Sequence, residues 1–131
     1  EGLPKRFSTW FFVGSADATQ VRVDGGEIHA HAWLTPAAAL EARRAGEIEL
    51  PPPTFVTLST LLETRSAAEA IAAARAQSPL VYLPRLVRLE GGACSLYPAD
   101  AGWETRDPSL EGARHRLLML DSGWRYLRDP F

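Results

Sequence analysis

The stretch "GGEIHAHAWLTPAAAL", residues 25–40, changes its period halfway, and that change decides the class of fold. From Glu27 the side chains alternate: Glu27, His29, His31 and Trp33 share one face, while Ile28, Ala30 and Ala32 share the other. Alternation of this kind predicts a strand. At Thr35-Pro36 it gives way to a helix start. Thr can accept a hydrogen bond from a free amide of the first turn, and Pro at the first helical position loses no needed donor. Residues 37–45 continue as helix, Arg43 and Arg44 suit its negative end, and Gly46 is placed to cap it. A strand passing directly into a capped helix points to an α+β protein.

Working outward, "RFSTWFFVGSA" is rich in aromatic residues, which predicts a largely buried strand over residues 7–15. Asp24-Gly25-Gly26 reads as a tight turn between two extended runs. Downstream, "EIELPPP" is a short extended piece in which residues 51–53 exclude helix, with Thr54 capping the next one. Phe55, Leu58, Leu61 and Leu62 then recur at helical spacing. Ser66 and Glu69 form a capping signature for a further helix over 67–77, ended by Ser78-Pro79. Beyond it the chain reads as β. Two hairpins turn at Glu90-Gly91-Gly92 and Asp121-Ser122-Gly123, and a polar loop over 98–114 joins them.

With 131 residues, 46% of them hydrophobic, the chain has the size and apolar content of one compact domain with a buried core. A net charge of −2 argues against a general electrostatic hold on nucleic acid or anionic membrane. Only Cys94 is a cysteine, which excludes an internal disulfide or a cysteine metal cluster and fits a reducing, cytoplasmic setting. No apolar run approaches the ~20 residues that span a bilayer. The opening "EGLPKRF" has neither a signal-peptide core nor an initiating Met, and reads as cut or processed.

Several residues offer chemistry, each with a plainer reading beside it. Glu27, His29 and His31 at alternate strand positions could hold Zn, Mn or Fe, or line a half-solvated strand face. Cys94 lacks a neighbouring base in its own segment and reads as a buried thiol. The "RHR" run around His115 could bind phosphate, or belong to a strand alternating polar and apolar residues. Asp100, in "YPAD", is a ligand contact or a turn-former. Arg6 stands before the most aromatic strand, where a guanidinium could reach a phosphate or stack on a base. Trp10, Trp33, Trp103 and Trp124 read as core or hairpin packing.

Taken in order, "PKRFSTWFFV" and "GGEIHAHAWLTPAAALEARRAGEIELPPPTFVTLSTL" resemble the second half of Nudix hydrolases. The branch is that of coenzyme A and nucleoside-diphosphate-linked pyrophosphatases. Arg6-Phe7 with Thr9 before Phe11-Phe12, Glu27 before Trp33-x-x-Pro36, and Gly46-Glu47-Ile48 leading to residues 50–54 carry the likeness. A fainter likeness runs through "YPAD", "HRLLML" and "GWRYL". The resemblance implies a partial Nudix-like mixed sheet with flanking helices over 1–77 and a β-hairpin extension over 78–131, forming one compact unit. It implies hydrolysis of a phosphoanhydride with Mg or Mn, which neutralises phosphate charge and activates water. The family's metal-binding box, centred on Arg-Glu-x-x-Glu-Glu, lies upstream of the Arg6 strand in family order. This sequence contains neither an Arg-Glu nor a Glu-Glu dipeptide. By the resemblance, Glu27 assists a metal held elsewhere, while Arg6, Phe7, Trp33 and Pro52 shape the substrate pocket.

Three readings follow from these residues. In the first, the chain is the C-terminal portion of a Nudix hydrolase, inactive alone and partnered by an upstream box segment. In the second, it is a box-less binding module whose open strand edges recruit a second copy, as a homodimer or swapped dimer. The third is a small metalloenzyme built on Glu27, His29 and His31.

Overall fold

A computed structural model describes residues 7–16, 20–28 and 30–129. Its elements are three helices, α1 (Pro36–Arg44), α2 (Pro52–Leu61) and α3 (Ala67–Ala76), and four strands, β1 (Arg85–Leu89), β2 (Gly92–Leu96), β3 (His115–Leu120) and β4 (Gly123–Arg128). This is an α+β arrangement. None of the described helices is long and apolar enough to cross a membrane. Backbone contacts divide the chain into two compact units, one of Glu1–His31 with Thr64–Ser78 and one of Ala32–Glu63 with Pro79–Phe131.

In the second unit the strands form an antiparallel meander in the order β1-β2-β3-β4. Turns at residues 90–91 and 121–122 make the two expected hairpins, with Leu89 paired to Gly92 and Leu120 to Gly123. The antiparallel sheet falls in the segment expected as the β-hairpin extension, while the mixed sheet that the resemblance implies over 1–77 has no counterpart among the described residues, where no strand precedes Arg85. One face of the sheet carries Leu117, Met119, Trp124 and Tyr126, and α2 sets Phe55 and Val56 against it. Tyr97 completes that core, and Leu40 of α1 packs at its margin. On the opposite face, Cys94 and Leu96 are fully buried. The 98–114 loop covers that end, held by Arg116 donating to the Pro108 carbonyl at 2.7 Å and Arg85 to the carbonyls of Trp103 and Glu104. Consecutive burial of His115, Arg116 and Leu117 follows from cover on both faces and overturns the expected alternation in β3.

Local signals placed the helices well. Thr35 Oγ1 accepts from the Ala38 amide at 3.1 Å with Pro36 at the first helical position. At the other end, Gly46 N–H donates to the Arg43 carbonyl and Glu47 N–H to that of Ala42, a Schellman closure with Gly46 at φ +76°. The start of α2 differs from expectation. It begins at Pro52 with Pro51 as its cap and no side-chain capping bond, so Thr54 is already inside the helix. Prolines in a first turn sacrifice only amides that have no intrahelical partner, so the triplet starts the helix it was expected to delay.

In the first unit, α3 is capped as expected, Ser66 Oγ accepting from the Glu69 amide at 3.1 Å. The Glu69 carboxylate returns to the Arg65 amide at 2.9 Å. Asp24 organises its turn by accepting from the amides of Gly26 and Ile28. Residues 7–15, expected as a buried strand, are in no strand and are exposed. An extended segment is fixed as a strand only by a neighbouring row of amides and carbonyls. The four strands that do form find theirs in the adjacent hairpin arm, at small loop-closure cost. Trp10 and Trp33 are likewise exposed, at 69% and 65%, against the expectation of core packing.

Candidate functional site

The second unit contains a cleft of about 520 Å³ lined by Arg43, Gly46, Ile48, Glu49, Leu50, Pro51 and Trp124. Three pieces of local structure make it. The Schellman turn at Gly46 reverses the chain out of α1, and the extended segment before Pro51 forms one wall. Trp124 is fixed by the second hairpin, where it pairs with Met119. Its ring meets Phe55 edge-on with centroids 5.4 Å apart. Arg43 lies with its guanidinium carbon 3.6 Å from the Trp124 ring centroid and 5.4 Å from that of Phe55. Two aromatic rings thus orient one cation without using its N–H groups. Sequence reasoning assigned Arg43 only to the helix dipole and did not find this site, since nothing near residue 43 announces a tryptophan at 124.

At the other end of the sheet, the residues with apparent phosphate-binding character are structural. The Asp100 carboxylate accepts from Arg116 Nε at 2.7 Å, Arg116 Nη2 at 2.6 Å, the His115 amide at 2.8 Å and the Gly102 amide at 2.9 Å. Burial alone would raise its pKa, but these bonds and the Arg116 charge outweigh burial and hold the carboxyl below its ordinary value. Arg116, its charge engaged by Asp100, is not available to an external phosphate. His115 is buried, and its Nδ1 is 2.7 Å from the Pro98 carbonyl. Because a carbonyl only accepts, Nδ1 carries the proton. Burial, with the nearby Arg128 charge, lowers the imidazole's pKa. Tyr82, Tyr97 and Tyr126 surround the ring at centroid distances of 5.1 to 6.0 Å. Burial and the adjacent Tyr82 push Tyr97 up to about 12. Cys94 is fully buried and burial raises its pKa, which leaves no reactive thiolate.

The residues singled out from sequence fall as follows. Arg6 and His29 lie outside the described residues. Phe7 is 85% exposed, and Glu27 is exposed just after the Asp24 turn. Trp33 precedes the Thr35 cap, and Pro52 opens α2 beside Pro51, which lines the cleft. Magnesium and manganese require several oxygen ligands in a near-octahedral set. Among the described residues no group of three or more His, Cys, Asp or Glu side chains could hold a metal ion, so the described side chains do not by themselves fit one.

The chain is similar to acyl-coenzyme A diphosphatase NUDT19 of Xenopus laevis, at 29% identity over 118 residues. That match takes in 87% of this chain and 31% of the Xenopus protein, so the chain spans about a third of the length of its curated relative. It is a distant relationship to a Nudix enzyme. No family model matches the chain, and no solved structure does.

Proposed function

We propose that this chain is the C-terminal portion of a Nudix pyrophosphohydrolase that cleaves the phosphoanhydride of a nucleoside-diphosphate-linked substrate of the coenzyme A type. The observation that carries this reading is the match to an acyl-coenzyme A diphosphatase over 87% of the chain. Carboxylates outside this sequence would hold Mg or Mn, and the ion would neutralise phosphate charge and activate water. This chain's residues contribute binding: by the resemblance, Arg6, Phe7, Trp33 and Pro52 are assigned to the substrate and Glu27 to the metal side. By itself the chain is inactive. The test measures Mg-dependent nucleotide release from coenzyme A, acyl-coenzyme A and nucleotide sugars, using the chain alone and a longer protein that includes a Nudix box. Turnover by the longer protein only is expected. Robust turnover by the 131-residue chain would place catalysis within it, and silence from both would refute the activity.

Residues 7–16 favour a second reading, that of an interaction module. Among the described residues none of them makes a hydrogen bond, and Phe7, Trp10, Phe11 and Phe12 are 59 to 87% exposed. Four consecutive apolar residues, 10–13, suit a strand covered on both faces. Such a segment adds to the sheet edge of a box-bearing segment or a second copy. In sedimentation, the chain is expected to self-associate and Phe12→Asp to shift it toward monomer; a wild-type monomer at all concentrations refutes association through this segment.

A further inference from the structure

Arg43 and Glu49 line the same cleft, carry opposite charges and are not paired with each other or with any other charged group among the described residues. Neither side chain makes a hydrogen bond there. The Arg43 guanidinium is nevertheless held in place by its stack on Trp124 at 3.6 Å. Its donors are therefore oriented and unspent, which is the costly part of building a polar contact. Ile48, Leu50, Pro51 and Trp124 supply the apolar remainder of the lining. A cleft of about 520 Å³ with mostly apolar walls and a few polar groups is of small-molecule size.

The charge pattern selects the ligand. One cation and one anion in the same lining have no net demand for a phosphate or a carboxylate, and Glu49 would repel either. A donor and an acceptor on an apolar cleft instead match a group that offers both an acceptor and a donor along an apolar chain. An amide does this, its C=O accepting from Arg43 and its N–H donating to Glu49.

We propose that this cleft is a subsite for an uncharged, amide-bearing chain, read by Arg43 and Glu49 and seated on Trp124, Leu50 and Pro51. Identification of that chain as the pantetheine arm of coenzyme A rests on the proposed function; the amide specificity does not. Arg43 and Glu49 are binding residues, and the reacting phosphoanhydride lies elsewhere.

Calorimetric titration of the 131-residue chain with pantetheine, coenzyme A and ADP tests this. Pantetheine and coenzyme A are expected to bind competitively and ADP not to bind. Arg43→Met, which keeps the stem over Trp124, should weaken pantetheine roughly tenfold by removing a charge-assisted hydrogen bond. Glu49→Ala, on the exposed segment, should weaken it similarly without disturbing the fold, as checked by an unchanged thermal midpoint. ADP binding that depends on Arg43 would make this an anion site and overturn the proposal, as would pantetheine affinity indifferent to both variants or no pantetheine binding. Pantetheine binding with no hydrolysis by the longer protein would sink the proposed function and leave the subsite standing. Hydrolysis of coenzyme A with no pantetheine binding would do the reverse.

Discussion

Arg116→Met lowers the unfolding free energy by about 4 kcal/mol, because it leaves the Asp100 carboxylate buried with its cation gone. Asp100 is 5% exposed and takes two of its four hydrogen bonds from Arg116. Removing the guanidinium also frees the Pro108 carbonyl that anchors the 98–114 loop. A loss of that size is a large share of the ~5–15 kcal/mol that holds a typical domain together. The double variant Arg116→Met with Asp100→Asn is expected to regain part of it, since a neutral amide is cheaper to bury than an unpaired carboxylate. Urea unfolding of the three variants measures both quantities. A single-variant loss below ~1 kcal/mol would show that the pair is solvated rather than buried. The same pair sets an acid limit. The Asp100 carboxyl titrates below its ordinary value of 3.8 in the fold, so its contribution is intact above that value. It disappears as the pH falls through the lower, folded value.

Gly92→Ala costs about 4 kcal/mol, from a disfavoured backbone conformation and a steric clash together. Gly92 closes the first hairpin at φ +153°, where a Cβ would lie 2.1 Å from the Met119 carbonyl oxygen and 2.9 Å from Leu120 Cα. Both neighbours belong to β3, which pairs with β2 through Gly92 and Leu120, so neither can retreat without opening the sheet. Gly123→Ala separates the two causes. Gly123 has φ +136° with nothing within 4 Å of an added Cβ, so it pays only the conformational part, about 2 kcal/mol. Equal thermal shifts for the two variants would refute the steric component.

The caps at Thr35 and Ser66, the Gly46 closure and the two hairpin turns were legible in the sequence because each is satisfied by partners within about one helical turn. The capping threonine and the amide it receives are three residues apart. Residues 7–15 were misread for the complementary reason. Aromatic content marks a segment as able to form a strand, but only a neighbour makes it one. Asp100 and Arg116 lie 16 residues apart, and neither "YPAD" nor "RHR" states that the two will meet. Distance along the chain also hid the cleft, whose Arg43 and Trp124 come from the first helix and the last strand. By itself the sequence determined the caps of the first and third helices, the hairpin turns and the burial of Cys94. Only tertiary packing decided which extended segments became strands, which basic residues were consumed in the interior, and where a cation was left oriented with its donors free. Local hydrogen bonds are settled by neighbours in the chain, whereas sheet pairing, buried charge and cavity walls depend on neighbours in space.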